Sequence, residues 1–288
     1  MPSLRDIKRR IKSVKNTQQI TKAMKMVSAA KLKRAQDEII AARPYAEKML
    51  SLISSLAAKT PSESHPLLRA ASGENPKTAV IFITSDRGLC GSFNAVLLRT
   101  VERFLREAEY GVNLYLIGKR GIEHFKRRDI EVVKSRPYGS ARPKYGHAVE
   151  IAHNVINSYL GGEVNEVRII YSEFKSALAQ RPVVQKLLPI TPEKLAEAEE
   201  FQVEMLFEPS KDEVLSSLLP KYVEVQVFRA LLESSASEHG ARMTAMDSAS
   251  KNASSMIGGL TLKYNRLRQA AITKELMEII GGAEALKG

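Results

Sequence analysis

Residues 3 to about 57 carry helical signals from end to end, and a helix of that length does not fit inside a compact domain. Ser3 with Asp6 three positions on has the form of an N-cap with an acidic third residue. Leu4, Ile7, Ile11 and Val14 keep the three-four spacing of a coiled-coil seam. From Ile20 to Leu32 the apolar set widens to Ile20, Ala23, Met24, Met26, Val27, Ala29, Ala30 and Leu32, which covers much of the circumference. A helix apolar most of the way round needs more than one neighbour. Pro44 is expected to bend the helix without ending it. At ~1.5 Å per residue the helix would run about 80 Å, so part of it must project.

A loop-rich stretch at 60–76, with Pro61, Ser62, Ser64, Pro66, Ser72, Gly73 and Pro76, marks a domain boundary. Residues 77 to about 190 then change character. Thr78–Thr84 reads as a short buried strand, followed by a glycine-containing turn and a helix over Asn94–Tyr110. A second strand is expected at Val112–Ile117, a helix near Ile122–Lys126, a weak strand at Glu131–Lys134, a helix at His147–Tyr159 and a strand at Glu166–Tyr171. Arg181–Pro189 is an extended segment that can pair back as a hairpin. This alternation implies a mostly parallel open sheet with helical crossovers. Residues 191–209 are a connector. Ser210 to Glu213 forms a second capping box, and the sequence is helical again to about Ile280. Pro220 is expected to kink or briefly break that helix, and Gly258-Gly259 is a weak point. The expected domains are therefore 1–57, 77–190 and 210–288. The two terminal helices, brought together by the compact domain between them, can pair antiparallel. The second is the longer, so its apolar end needs a sheath from another protein.

The charge distribution sharpens this. The formal net charge is +12, and among the first 34 residues eleven are basic against one acid, Asp6. An acidic partner is implied. Nucleic acid fits poorly, because the charges share their segment with a dense apolar surface and no basic-region-plus-zipper order is present. An anionic membrane also fits poorly, since there is no Trp in the chain and the first Phe is Phe82. No apolar run approaches the ~18–20 residues of a membrane span, and the first residues, Met1 to Asp6, are charged rather than signal-like. The five histidines, His65, His124, His147, His153 and His239, are scattered, so no metal site is expected. Cys90 is the sole cysteine, which excludes a disulfide within the chain.

The motif with the nearest claim to chemistry is Asp86-Arg87-Gly88-Leu89-Cys90-Gly91-Ser92-Phe93-Asn94, between a strand and a helix. Glycines there can bring backbone N–H groups to a phosphate. The run is neither G-x-G-x-x-G nor a P-loop, so a tight strand-to-helix turn with Ser92 or Asn94 as the cap is the expectation, and no cofactor is assigned. Cys90 lacks a histidine base nearby in sequence. Glu275 and Glu278 share a helix face and read as a solvent- or partner-facing pair rather than as an acid–base couple. Asn252-Ala253-Ser254 matches a glycosylation sequon that is not expected to be used.

Several separated segments resemble the gamma subunits of bacterial F-type ATP synthases, over the full length. They are Asn16 to Val27, the Asp86–Gly91 turn, Ala241 to Met246, Tyr264 to Ala270, and above all Ile272 to Ala285 with its Ile272-Thr273, Glu275, Glu278 and Gly282-Ala283. The resemblance implies an α/β chain in which the N- and C-terminal helices form a long antiparallel coiled coil beside a central Rossmann-like domain. It implies a non-catalytic rotor stalk inside a hexamer of three alpha and three beta subunits. The epsilon subunit and the membrane ring of c subunits are the further partners, with no nucleic acid and no insertion into the bilayer. The place implied is the cytoplasmic side of the cell membrane. Met24, Arg242, Arg268, Gln269 and Thr273 match family positions that meet beta subunits, and Leu206, Phe207 and Glu208 match the foot on the c ring. The redox-controlled cysteine pair of chloroplast-type members is absent.

Overall fold

A computed structural model describes residues 3–57, 65–69, 76–128, 130–138, 142–190 and 210–285. The chain divides into two compact units, one made of residues 28–242 and one of residues 1–27 with 243–288. Helix α1 (Leu4–Ala57) and the last helix, α5 (Lys211–Ala285), each contribute to both.

The larger unit is built on a five-stranded sheet. In chain order its elements are β1 (Lys77–Ile83), α2 (Phe93–Glu107), β2 (Gly111–Ile117), α3 (Lys119–Phe125), β3 (Val132–Arg136), α4 (Tyr145–Leu160), β4 (Glu166–Phe174) and β5 (Gln180–Leu188). The sheet order is β3-β2-β1-β4-β5. β1 pairs in parallel with β2 and with β4, β2 pairs in parallel with β3, and β5 returns antiparallel to β4. The mostly parallel sheet and the closing hairpin thus follow the sequence expectation. Burial explains why β1 is central: Ala79, Val80, Ile81, Phe82 and Ile83 are fully covered, as a strand roofed on both faces must be. One core joins Ile81, Ile83 and Ile169 to Ala152, Val155 and Ile156 of α4, to Met49 and Ile53 of α1, and to Leu219, Val223 and Leu231 of α5. A second joins Val80, Phe82 and Leu116 to Phe93, Leu97 and Val101 of α2, Phe125 of α3 and Ala241 of α5. Within the loop-rich boundary stretch, residues 65–69 form a turn that buries Leu67 and Leu68, and Ile190 N–H donates to the Leu67 carbonyl at 2.9 Å.

Both capping boxes form. The Asp6 N–H donates to Ser3 Oγ at 3.2 Å and the Ser3 hydroxyl to Asp6 Oδ2 at 2.8 Å, which holds the Asp6 carboxyl below its usual range. At the start of α5 the Glu213 N–H donates to Ser210 Oγ at 3.3 Å. α1 continues through Pro44, as expected. The break expected at Pro220 is absent: α5 runs through it unbroken. Neighbouring Leu219 and Val223 are fully buried in the first core, so packing on both sides of the proline holds the helix where propensity alone would interrupt it.

In the smaller unit, segments 3–27 and 243–285 pack together. Ile7, Thr21, Met246 and Ala253 are buried. Lys25 Nζ lies 2.5 Å from Asp247 Oδ1, and Lys251 Nζ lies 2.8 Å from Asp247 Oδ2. Hydrogen bonds from these two lysines hold the Asp247 carboxyl down to about 2. Toward the C-terminus apolar side chains face outward: Leu262, Ile272, Leu276, Met277, Ile279 and Ile280 are all exposed in the chain alone. Gly258, Gly259, Gly281 and Gly282 lie in the same stretch, and a Cβ added at any of them would meet nothing within 4 Å.

Candidate functional site

The C-terminal ends of β1, β2 and β3 meet at the Asp86–Asn94 turn, the place where an open α/β sheet commonly holds its ligand. Here the chain fills it. Asp86 Oδ1 accepts from the backbone N–H of Lys119 at 2.9 Å, at the start of α3, and from that of Tyr138 at 2.9 Å, beyond β3. Tyr138 is tied in turn to α5, its hydroxyl donating to the Leu231 carbonyl at 2.5 Å. The carbonyls of Arg87 and Gly88 face the Arg242 guanidinium, with Nη2 at 3.3 Å from each and Nε at 3.4 Å from Gly88 O. A constellation of carbonyls around a cation is the wrong polarity for phosphate.

Arg242 is 8% exposed and pairs with Glu238, one helical turn earlier, at 2.6 Å. Burial raises the Glu238 carboxyl even though Arg242 pulls it down. The expected cap is not made by a side chain: Ser92 occupies the N-cap of α2 without a side-chain bond, and Asn94 turns back. The Asn94 amide donates to Ser85 Oγ at 2.8 Å and to Cys90 Sγ at 3.2 Å. Cys90 is buried, and burial pushes its thiol up, the opposite of what a nucleophile needs. Leu89 has φ 62° and is 65% exposed. A non-glycine residue in the left-handed region with its apolar side chain in solvent is a feature that no local sequence pattern signals.

The residues matched to beta-subunit contacts fall in different settings. Arg268, Gln269 and Thr273 are exposed on the smaller unit, and Met24 is half-buried there. Arg242 belongs to the larger unit, with its guanidinium engaged by the turn and by Glu238. Leu206, Phe207 and Glu208 lie outside the described residues. Among the described residues no helix is long and apolar enough to cross a membrane, and no group of three or more His, Cys, Asp or Glu is placed to hold a metal ion.

The protein-family model described as ATP synthase matches residues 3–286. The ATP synthase gamma chain of Geobacter metallireducens is 53% identical over 291 residues, covering all of both chains. The chain belongs to the ATP synthase gamma chain family. The gamma chain of Pelotomaculum thermopropionicum is 50% identical over 287 residues, again with full coverage of both. In the central stalk and c-ring structure of the Tetrahymena thermophila mitochondrial ATP synthase, a chain 31% identical to this one covers 80% of it and 99% of its own length at a TM-score of 0.60. A chain of the Euglena gracilis mitochondrial enzyme, 20% identical with a TM-score of 0.69 over 98% of this chain and 94% of its own, shares the fold. As a gamma chain this protein is a central-stalk subunit without a catalytic site of its own.

The Arg242 cluster gives this gamma chain a pH signature. His239 Nδ1 lies 3.4 Å from Arg242 Nη1, and burial, then the charges of Arg242 and Lys31, hold the imidazole down at about 4. Between pH 4 and 6.5 the unfolded chain therefore binds the proton that the folded chain refuses. Stability rises with pH across that window and falls on acidification, by about 3 kcal/mol in full. Glu238, whose carboxyl is raised, acts in the opposite sense, so the informative quantity is the difference between variants. Replacing His239→Asn is expected to flatten the acid limb of urea-unfolding stability measured between pH 4 and 7. An unchanged slope would show that His239 is not held neutral.

Proposed function

We propose that this gamma chain is the torque-bearing shaft between a membrane c ring and a hexamer of three alpha and three beta subunits, coupling ion flow to ATP synthesis or hydrolysis. The observation that carries the reading is the exposed apolar end of α5, from Leu262 to Ile280, on a chain whose relatives of about 50% identity are gamma chains over their whole length. An apolar helical surface of that extent calls for a protein sheath. The hexamer's bore provides one. Segments 3–27 and 243–285 act as an antiparallel coiled coil, a reading supported by their membership of one compact unit and by the Lys25–Asp247 pair. Epsilon docks on the sheet-bearing domain, and Leu206, Phe207 and Glu208 form the foot on the c ring. The subunit works at the cytoplasmic face of the cell membrane, held there by its partners.

The coupling follows from asymmetry. A shaft that is not round shows a different face to each beta subunit, so each adopts a different nucleotide affinity. Rotation cycles those affinities by shifting populations between pre-existing states. The basic residues of the first helix, including exposed Lys8, Arg9, Arg10 and Lys12, meet acidic loops of the beta subunits through their summed field. Arg268, Gln269 and Thr273 form a catch for one such loop, and Met24 and Arg242 are further beta-subunit contacts. Gln269 and Thr273 are four residues apart and share a face, and Arg268 is permanently charged. Charge-assisted bonds of ~1.5–3 kcal/mol bias one rotary state yet break within a cycle.

One preparation tests both levels. Expressed with its synthase partners, the chain is expected to co-purify with two larger subunits in three-to-one excess. Arg268→Ala combined with Gln269→Ala is expected to lower ATP turnover several-fold at the same stoichiometry. Failure to co-purify would remove the shaft reading, whereas unchanged turnover in an intact complex would remove only the catch.

A further inference from the structure

On α1, Leu4, Ile7, Ile11 and Val14 begin a seam of buried or half-buried positions at three-four spacing, and the seam is apolar again at Leu32 and Ala35. Between these stretches the same spacing falls on Gln18, Thr21, Lys25 and Ser28, which are also buried or half-buried. A paired-helix seam holds by covering apolar side chains, so four polar positions in succession forfeit much of that hold. Thr21 is settled within its own helix, its hydroxyl donating to the Gln18 carbonyl at 3.0 Å. Lys25 reaches across instead, its Nζ donating to Asp247 Oδ1 of α5 at 2.5 Å. Both residues belong to the smaller compact unit.

Asp247 is set up for this contact. It follows the buried Met246, and Lys251, one turn further on, takes its other oxygen at 2.8 Å. Each carboxylate oxygen thus has its own lysine, and the carboxylate is held from its own helix. Lys25 also differs from the other basic residues near it. Lys8, Arg9, Arg10 and Lys12 are exposed, whereas Lys25 is half-buried at a seam position. A lysine in a seam, matched by a carboxylate on the facing helix, specifies which surfaces pair. An ion pair this open to solvent adds little to global stability. Its weight falls on a local equilibrium, the docking of segment 3–27 on α5, where the adjacent polar seam positions add little.

We propose that Lys25 and Asp247 form a clasp that keeps the first segment of α1 docked along α5, so that Lys25 serves the chain itself while its basic neighbours face partners. The clasp rests on the antiparallel pairing of segments 3–27 and 243–285, and the test separates the two. Hydrogen exchange of the full-length chain, read by mass spectrometry, reports the docking. Amides of residues 8–24 are expected to exchange more slowly in the chain than in a peptide of residues 3–27. Asp247→Asn keeps the shape of the side chain and is expected to speed their exchange about threefold, while residues 79–83 stay unchanged. Lys25→Asp with Asp247→Lys is expected to restore most of the parent protection. Added salt is expected to speed exchange of 8–24 in the parent and not in Asp247→Asn. Unchanged exchange in Asp247→Asn overturns the clasp, as does a swapped variant that exchanges as fast as the single one. Exchange of 8–24 in the parent as fast as in the peptide overturns the pairing, and the clasp with it.

Discussion

Replacing Arg242→Ala is expected to cost the gamma chain about 3–5 kcal/mol, the range for breaking a buried ion pair from one side. The side chains of both partners are nearly covered, Arg242 at 10% and Glu238 at 12% exposure. Alanine leaves the Glu238 carboxylate without its counter-ion in a setting that already raises it. It also strips the donors from the carbonyls of Arg87 and Gly88, next to a backbone that holds Leu89 at φ 62°. Urea titration at pH 7 reads the loss as a lower midpoint at constant slope. Arg242→Ala with Glu238→Gln is expected to recover part of it, because the second change removes the stranded charge. A loss under 1 kcal/mol for the single variant would mean that the guanidinium is replaced by solvent without consequence.

Gly118→Ala should be at least as damaging, at about 3 kcal/mol or more, and for a steric reason. Gly118 follows β2 with φ 100°, and a Cβ there would sit 2.2 Å from the Thr84 carbonyl oxygen. No rotamer relieves that contact, since the obstacle is backbone. The strand ends cannot easily part either. Thr84 N–H donates to Ile117 O at 2.7 Å, Gly118 N–H donates to Arg136 O at 2.9 Å, and Gly121 N–H donates to Thr84 Oγ1 at 2.9 Å. Thermal unfolding of the purified chain measures the effect. A melting temperature within a degree or two of the parent would refute the clash.

The contrast between these two positions shows what a single sequence makes legible. The strands were readable because Val80-Ile81-Phe82-Ile83 is a short unbroken apolar run, and the helices because Leu4, Ile7, Ile11 and Val14 repeat at helical spacing. Both are local patterns. The capping boxes at Ser3 and Ser210 were readable for the same reason. The short break is absent at Pro220 because its neighbours Leu219 and Val223 are packed from afar. The role of Asn94 was missed because its partners, Ser85 and Cys90, are set by the course of the turn rather than by helix spacing. Arg242 stood out in the sequence only through family resemblance. Its bonds to Arg87 and Gly88 join residues more than 150 positions apart, and no periodicity encodes such a pairing.

The open space around Gly258, Gly259, Gly281 and Gly282 bears on how firmly the end of α5 is held. Among the described residues nothing would meet a side chain at these positions, yet each glycine weakens a helix by about 1 kcal/mol relative to alanine. Close packing among the described residues therefore does not account for them. The end of α5 therefore holds its helical form less firmly than an alanine-bearing helix of the same length would, by the sum of those small penalties.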